Sequence, residues 1–160
     1  MAIRNIRTYG DKVLTKRAKE VTEMNEKTLE LIEDMLDTMY DAQGVGLAAP
    51  QVGILKRIVV IDVSEEGDQP IILINPVILS TDGEQTGDEG CLSVPGKSGV
   101  VTRPNHVVVK AFNEKMEEIT LEGEGLLARA FCHEIDHLDG ILYVEKVEGE
   151  LKNNTQEYEE

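Results

Sequence analysis

His133-Glu134-Ile135-Asp136-His137 places two histidines four residues apart inside a segment, Gly125 to Leu138, whose apolar residues keep helical spacing. Residues four apart on a helix share a face, so both imidazoles can reach one metal ion. Glu134 is rotated by about 100° from His133. It therefore stands beside such an ion without binding it, close enough to exchange a proton with water there. Leu127, Phe131, Ile135 and Leu138 form one apolar stripe, and Leu126 and Ala130 continue the face of the histidines. The helix is expected to be buried over most of its circumference, with Arg129 and Asp136 on the remaining side and Gly140 closing it. A buried histidine pair needs satisfied nitrogens, and a metal satisfies one on each ring.

Two protein ligands do not hold a catalytic metal tightly, so a third is expected, with one position left for water. Downstream the sequence offers Glu157, in an acidic segment, Gly149 to Glu160, read as a frayed tail. Upstream it offers Cys91, in Glu89-Gly90-Cys91-Leu92-Ser93-Val94-Pro95. Glycine before the thiol admits close backbone approach, and the proline ends regular structure. A thiolate beside a divalent cation is deprotonated at neutral pH. Cys132 adjoins His133 but belongs to another helical face, and is read as structural.

Outward from these segments the pattern is α+β. Residues 25–43 read as an amphipathic helix carrying Leu29, Ile32, Leu36, Met39 and Tyr40, with Asn25 as N-cap and Gly44 as the glycine that stops it. The stretch from Gly44 to Gly53 is too rich in Gly and Pro for a helix. Arg57 to Val63 and Ile71 to Leu79 are dense in β-branched residues, and Pro76 marks an edge or a break in the second run. Beyond a Gly-rich segment, Gly83 to Gly99, the β pattern resumes in Val100-Val101-Thr102, His106 to Phe112 and Met116 to Leu121, with Asn113-Glu114-Lys115 as a hairpin turn. The expected architecture is one domain over residues 1–148, antiparallel strands packed around a central helix bearing His133 and His137, with the amphipathic helix near the N-terminus.

Composition narrows the function classes. The 160 residues suit one domain. Sixteen Lys and Arg against 31 Asp and Glu give a net charge of −15. That charge opposes binding along a DNA phosphate backbone or on an anionic membrane. No apolar run approaches the roughly 20 residues of a membrane span. The first residues lack the apolar core of a signal peptide, and the two cysteines are expected to be reduced thiols in the cytoplasm.

Three segments together, Gly44-Val45-Gly46-Leu47-Ala48-Ala49-Pro50-Gln51, Glu89-Gly90-Cys91-Leu92-Ser93 and His133-Glu134-Ile135-Asp136-His137, resemble in order and separation the three signature motifs of the peptide deformylases. The resemblance spans about Ile3 to Val147. It implies a divalent metal held by Cys91, His133 and His137, Fe(II) in the family, with zinc, nickel or cobalt able to replace it. It implies that Glu134 is catalytic, and that the Gln51 side-chain amide and the backbone N–H of Leu92 stabilise the oxyanion. The implied reaction is hydrolysis of the formyl group from formyl-methionine at the N-terminus of nascent polypeptides, near the ribosome. Gly44, Val45 and Gly46 are expected to form a strand-like wall along the substrate backbone, and Val45, Leu126 and Ala130 an apolar pocket for the methionine side chain. Asp136 is assigned Arg103 as a partner. Many family members end in a long helix associated with ribosome contact, whereas here the tail from Glu145 carries six Glu and two Lys. The H-E-x-x-H motif alone also suits a zinc endopeptidase, which would not need Cys91, and the two cysteines alone suit a metal-binding or redox-sensing module, which would not need Glu134.

Overall fold

Four consecutive β-branched residues, Ile58-Val59-Val60-Ile61, are all buried, and they show why this chain folds around its larger sheet. In the computed structural model, which describes residues 2–153, they form strand β2 (Ile58–Ile61). Side chains alternate across a strand, so one such run faces both ways. Ile58 and Val60 join an apolar cluster with Leu31, Ile32, Met35 and Met39 of helix α1 (Glu26–Asp41). Val59 and Ile61 join another with Phe131, Ile135 and Leu138 of helix α2 (Leu126–Leu138). The sheet is therefore covered on both faces at β2, and neither face needs polar residues there.

The other strands are β1 (Gly46–Ala48), β3 (Ile71–Asp82), β4 (Gln85–Cys91), β5 (Val94–Arg103), β6 (His106–Phe112), β7 (Glu118–Glu124) and β8 (Glu148–Asn153). A five-stranded antiparallel sheet has the order β1-β2-β3-β6-β7, and a three-stranded antiparallel sheet the order β4-β5-β8. Under the smaller sheet lies a third cluster, Leu14, Val94, Val101, Leu142 and Tyr143. The break expected at Pro76 is a register irregularity between Ile74 and Val77, where Asn75 takes a positive φ of 52°. The β6–β7 turn runs through Asn113, whose Oδ1 accepts from the amides of Lys115 and Glu117. Met116 has a φ of 60° there, which delays β7 to Glu118.

Four local expectations are corrected. The segment Gly149 to Glu160, expected to fray, begins with strand β8, because Lys97, Ser98 and Val100 of β5 supply its pairing partners. Residues 154–160, with Glu157, lie outside the described residues. The Gly-rich segment Gly83 to Gly99 is the β4–β5 hairpin; its solvent-facing polar residues and glycines hid the strand alternation. Gly44 does not take the left-handed position that ends α1. Gln43 does, at φ 58°, with its N–H on Tyr40 O and that of Gly44 on Met39 O, a Schellman arrangement. Arg129 is buried rather than exposed, because an ion pair with Glu89 satisfies it.

Asp62, just beyond β2, is buried and gathers the loop that follows. Its carboxylate accepts hydrogen bonds from Tyr40 Oη of α1, from Ser64 and from Gln69 N. Burial alone would raise its pKa, but these donors hold it below the ordinary 3.8. A depressed carboxyl stabilises the fold fully above its unfolded pKa and loses that contribution as the pH falls through the folded one. Asp62→Ala is therefore expected to lower the urea midpoint at pH 7, with the gap to the parent closing as the pH drops below 3.8. Equal gaps at pH 7 and pH 3 would refute this role for the carboxylate.

Candidate metal centre

One turn of α2 separates His133 from His137, and their ring centroids lie 5.0 Å apart with the planes at 69°. Cys91 ends β4, where an irregularity between Glu89 and Cys91 turns the chain toward β5. Its Sγ lies 3.3 Å from His137 Nε2, and the donor atoms of Cys91, His133 and His137 all fall within 4.8 Å of one another. Ligand bonds of about 2.0–2.3 Å let two donors on one ion stand at most ~4.4 Å apart, so the Cys91–His137 separation fits a shared ion. One soft thiolate with two imidazoles suits iron, zinc, cobalt or nickel better than magnesium or calcium. Both rings are buried, and burial together with His133 pushes the pKa of His137 well below the usual histidine range, which keeps it neutral and able to ligate.

Glu89 holds the other side of His133. Its Oε2 accepts from His133 Nδ1 at 2.6 Å and from Arg103 Nη2 at 2.7 Å. Its Oε1 accepts from Arg103 Nε at 3.1 Å and Arg129 Nη1 at 2.8 Å. Burial would lower the pKa of His133, but the carboxylates of Glu134 and Glu89 raise it well above the usual histidine range. With Nδ1 committed as a donor to Glu89, Nε2 is the nitrogen that would give up its proton to ligate a metal. Burial would raise the pKa of Glu89, yet the hydrogen bonds from His133 and Arg103 hold it well below the usual carboxylate range. Arg103 Nη1 also donates to Asp136 at 2.8 Å, the partnership expected from the sequence. Tyr143 stacks on His133 with centroids 6.0 Å apart.

Glu134 points the opposite way in its electrostatics. It is 4% exposed, and its Oε1 has no hydrogen-bond partner among the described residues. Burial, opposed by His133 and reinforced by Glu89, raises its pKa to about 7. The space it occupies exists because residue 46 is glycine: a Cβ there would sit 2.6 Å from Glu134 Oε2. Gly44 is needed likewise, since a Cβ would meet Leu92 Cδ1 at 2.6 Å.

Gln51 lies in a 3₁₀ turn, Ala49–Val52, that follows β1. Its Oε1 accepts from Ala48 N, and its Nε2 donates to Ser93 Oγ at 3.0 Å and faces Cys91 Sγ at 3.6 Å. A cleft of about 440 Å³ opens over these groups. Gly44, Val45, Gly46 and Gln51 line it from one side, Cys91 and Leu92 from another, and Leu126, Ala130, His133 and Glu134 from α2. Val45 and Leu126 are about half exposed at its rim. Gly44 and Val45 precede β1, although Val45 O still accepts from Asp62 N beside it. Cys132 is buried, and burial raises its thiol pKa. Sequence reasoning missed Glu89, Arg129 and Ser93. The signal was present for Glu89, which lies two residues before Cys91, but the segment read only as Gly-rich, with no strand assigned to it, so no shared strand face was inferred.

Residues 3–153 match the sequence model of the polypeptide deformylase family. A peptide deformylase of Lachnoclostridium phytofermentans is 70% identical over 160 residues, all of this chain and 98% of that protein. One of Agathobacter rectalis is 66% identical over 98% of each chain. The crystal structure of a peptide deformylase from Legionella pneumophila superposes with a TM-score of 0.88 at 47% identity, covering 91% of this chain and 86% of that one.

Removing one of three converging donors leaves an inadequate site. Cys91→Ser, His133→Ala and His137→Ala are each expected to lose most bound metal while keeping native circular dichroism. Stoichiometric metal in Cys91→Ser, measured by elemental analysis, would exclude Cys91 as a ligand.

Proposed function

The chain belongs to the peptide deformylase family and is a hydrolase that removes the formyl group from nascent peptides; on that premise we propose that Cys91, His133 and His137 hold one divalent metal ion and that Glu134, Gln51 and Leu92 act beside it. The observation that carries this reading is the convergence of three donor atoms within 4.8 Å next to a buried, unpartnered oxygen of Glu134. Fe(II) is the expected ion, and zinc, nickel or cobalt suit the same donors. When bound, the ion acts as a Lewis acid that acidifies a water and polarises the formyl oxygen.

The protein's own residues supply the rest. Glu134 takes a proton from the attacking water at its carboxylate and delivers it to the departing amine as the carbon–nitrogen bond breaks, leaving formate and a free methionyl N-terminus. A carboxyl raised by burial to about 7 both accepts and returns that proton near neutral pH, whereas an ordinary carboxylate would bind it too weakly to deliver it. The Gln51 amide, fixed through its oxygen by Ala48 N and by one N–H to Ser93 Oγ, presents its other N–H on the Cys91 side of the cleft, and the Leu92 N–H follows Cys91 directly. Together they donate to the developing oxyanion. Val45, Leu126 and Ala130 receive the methionine side chain. Gly44 and Gly46 let the peptide backbone run close along β1, as an added strand does.

The substrate is the formyl-Met end of a nascent chain, met near the ribosome in the cytoplasm. The net charge of −15 opposes docking on DNA or anionic lipid. Among the described residues no helix is long and apolar enough to cross a membrane. A zinc endopeptidase is not favoured, because it leaves the placement of Cys91 beside His137 without a purpose.

Two outcomes test the assignment of roles. Glu134→Ala is expected to keep its metal yet lose at least ~10²-fold in formate release from a formyl-Met peptide, the low end for a proton-transfer residue; parallel loss of metal and rate would make Glu134 a ligand instead. An acetyl-Met peptide differs by one methyl on the reacting carbon. Space alone would reject it by about 1–3 kcal/mol. Displacement of its carbonyl from Gln51 adds to this, because a ~1 Å misplacement can cost 10²-fold. Competition between the two substrates gives the ratio of kcat/KM, and comparable turnover would remove the assignment.

A further inference from the structure

Besides Thr28 in its first turn, α1 buries two polar residues, Asp34 and Thr38. Asp34 is 2% exposed and Thr38 is 1% exposed. Both are occupied by the N-terminal segment, which runs across the helix outside any sheet. Asp34 accepts from Ala2 N and from the Arg4 guanidinium, each at 2.9 Å, and Thr38 Oγ1 accepts from Arg4 N at 2.8 Å. Beyond this anchor the segment reaches the metal centre from outside. Arg7 N donates to Gln51 O at 2.6 Å, and Tyr9 N donates to Ser93 O at 2.7 Å.

Those two carbonyls belong to residues already joined on the cleft side, where Gln51 Nε2 donates to Ser93 Oγ at 3.0 Å. Gln51 sits on the turn after β1 of the larger sheet, and Ser93 on the turn between β4 and β5 of the smaller one. Among the described residues the two sheets share no strand pairing, so no ladder sets the distance between these turns. We propose that the Arg7–Tyr9 backbone is a clamp that sets it: the two amides hold the Gln51 turn and the Cys91–Ser93 turn in register, and Arg7 and Tyr9 are positioning residues for the reaction. The clamp acts through main-chain N–H groups, since the Tyr9 side chain is 63% exposed and the Arg7 guanidinium pairs with Asp11. This rests on the roles assigned above to Gln51 and Cys91.

Replacing the peptide amide at Arg7 or at Tyr9 by an ester removes that N–H donor and keeps every side chain; the Tyr9 ester also weakens the Thr8 carbonyl, which accepts from Asp11 N. Each ester form, loaded with cobalt, is expected to lose roughly 10- to 100-fold in kcat at a temperature well below its Tm, with metal content unchanged. The cobalt–thiolate absorption, which reports Cys91 alone, is expected to shift for the Tyr9 ester. Tyr9→Phe keeps the amide and is expected to follow the parent. Thr38→Val, which loosens the anchor from beneath α1, is expected to reproduce a smaller loss of the same kind, and decides the matter if the esters do not fold. In a Gln51→Ala background the Arg7 ester is expected to add little, because it acts through Gln51. A lowered Tm with kcat and the cobalt spectrum unchanged would reduce the segment to a structural brace and overturn the proposal. Full activity of Gln51→Ala by itself would instead overturn the role of Gln51, leaving the cobalt spectrum of the Tyr9 ester to judge the clamp.

Discussion

The histidine side of the candidate metal centre depends on one carboxylate with no lone pair to spare. Glu89 accepts two hydrogen bonds from Arg103, one from Arg129 and one from His133, deep in the protein. Moving such a charge out of water is expensive, and it is tolerated only when geometry and hydrogen bonding are nearly complete. Two arginines supply the compensating charge, and Asp136 balances the second of them through Arg103. The result ties β4, β5 and α2 together at a point where apolar packing would leave His133 free to turn. An apolar seam could match the stability. It could not dictate which nitrogen of His133 carries the proton.

The two glutamates that flank His133 show how one residue type serves opposite ends. Glu89, surrounded by donors, stays ionised far below the usual range. Glu134, equally buried but with one oxygen unpartnered among the described residues, is raised to about 7. Burial acts in the same direction on both, so the donors decide the difference. Groups whose environments push their pKa values apart mark the division of labour in a site. Here the ionised one fixes the ring of His133, and the protonatable one faces the cleft beside it.

The helix bearing His133 and His137 was legible because its period, its closing glycine and its ligand spacing all agree over Gly125 to Gly140. The helix at α1 was legible for the same reason, down to the Asn25 cap, whose Oδ1 accepts from Thr28 N. The β4–β5 hairpin was not. Its outer face is polar, and one inward position is Glu89, whose burial makes sense only beside Arg103 and Arg129, from β5 and α2. Alternation fails as a signal when the inward side chain is a charge that another element neutralises. Gly44 misled for a related reason. A glycine after a helix reads as a cap, yet this one is required by Leu92, a residue 48 positions away. Long-range demands of this kind leave no local period to detect.

The same reasoning explains where the cleft is. The larger sheet buries apolar residues on both faces at β2, and the smaller sheet has its own cluster around Tyr143, so most of the apolar packing lies within each half. What joins them near the candidate metal site is mostly polar, the Glu89 cluster on one side and Gln51 with Ser93 on the other, with Leu92 of the β4–β5 turn as the apolar contact against the α1 cluster. Apolar packing is non-directional and tolerates small slips. Hydrogen bonds between fixed donors and acceptors do not, because they weaken steeply with angle and distance. The Cys91 thiol of one half and the Gln51 carboxamide of the other are therefore held beside each other where the halves meet through hydrogen bonds, with Gln51 Nε2 3.6 Å from Cys91 Sγ and 3.0 Å from Ser93 Oγ.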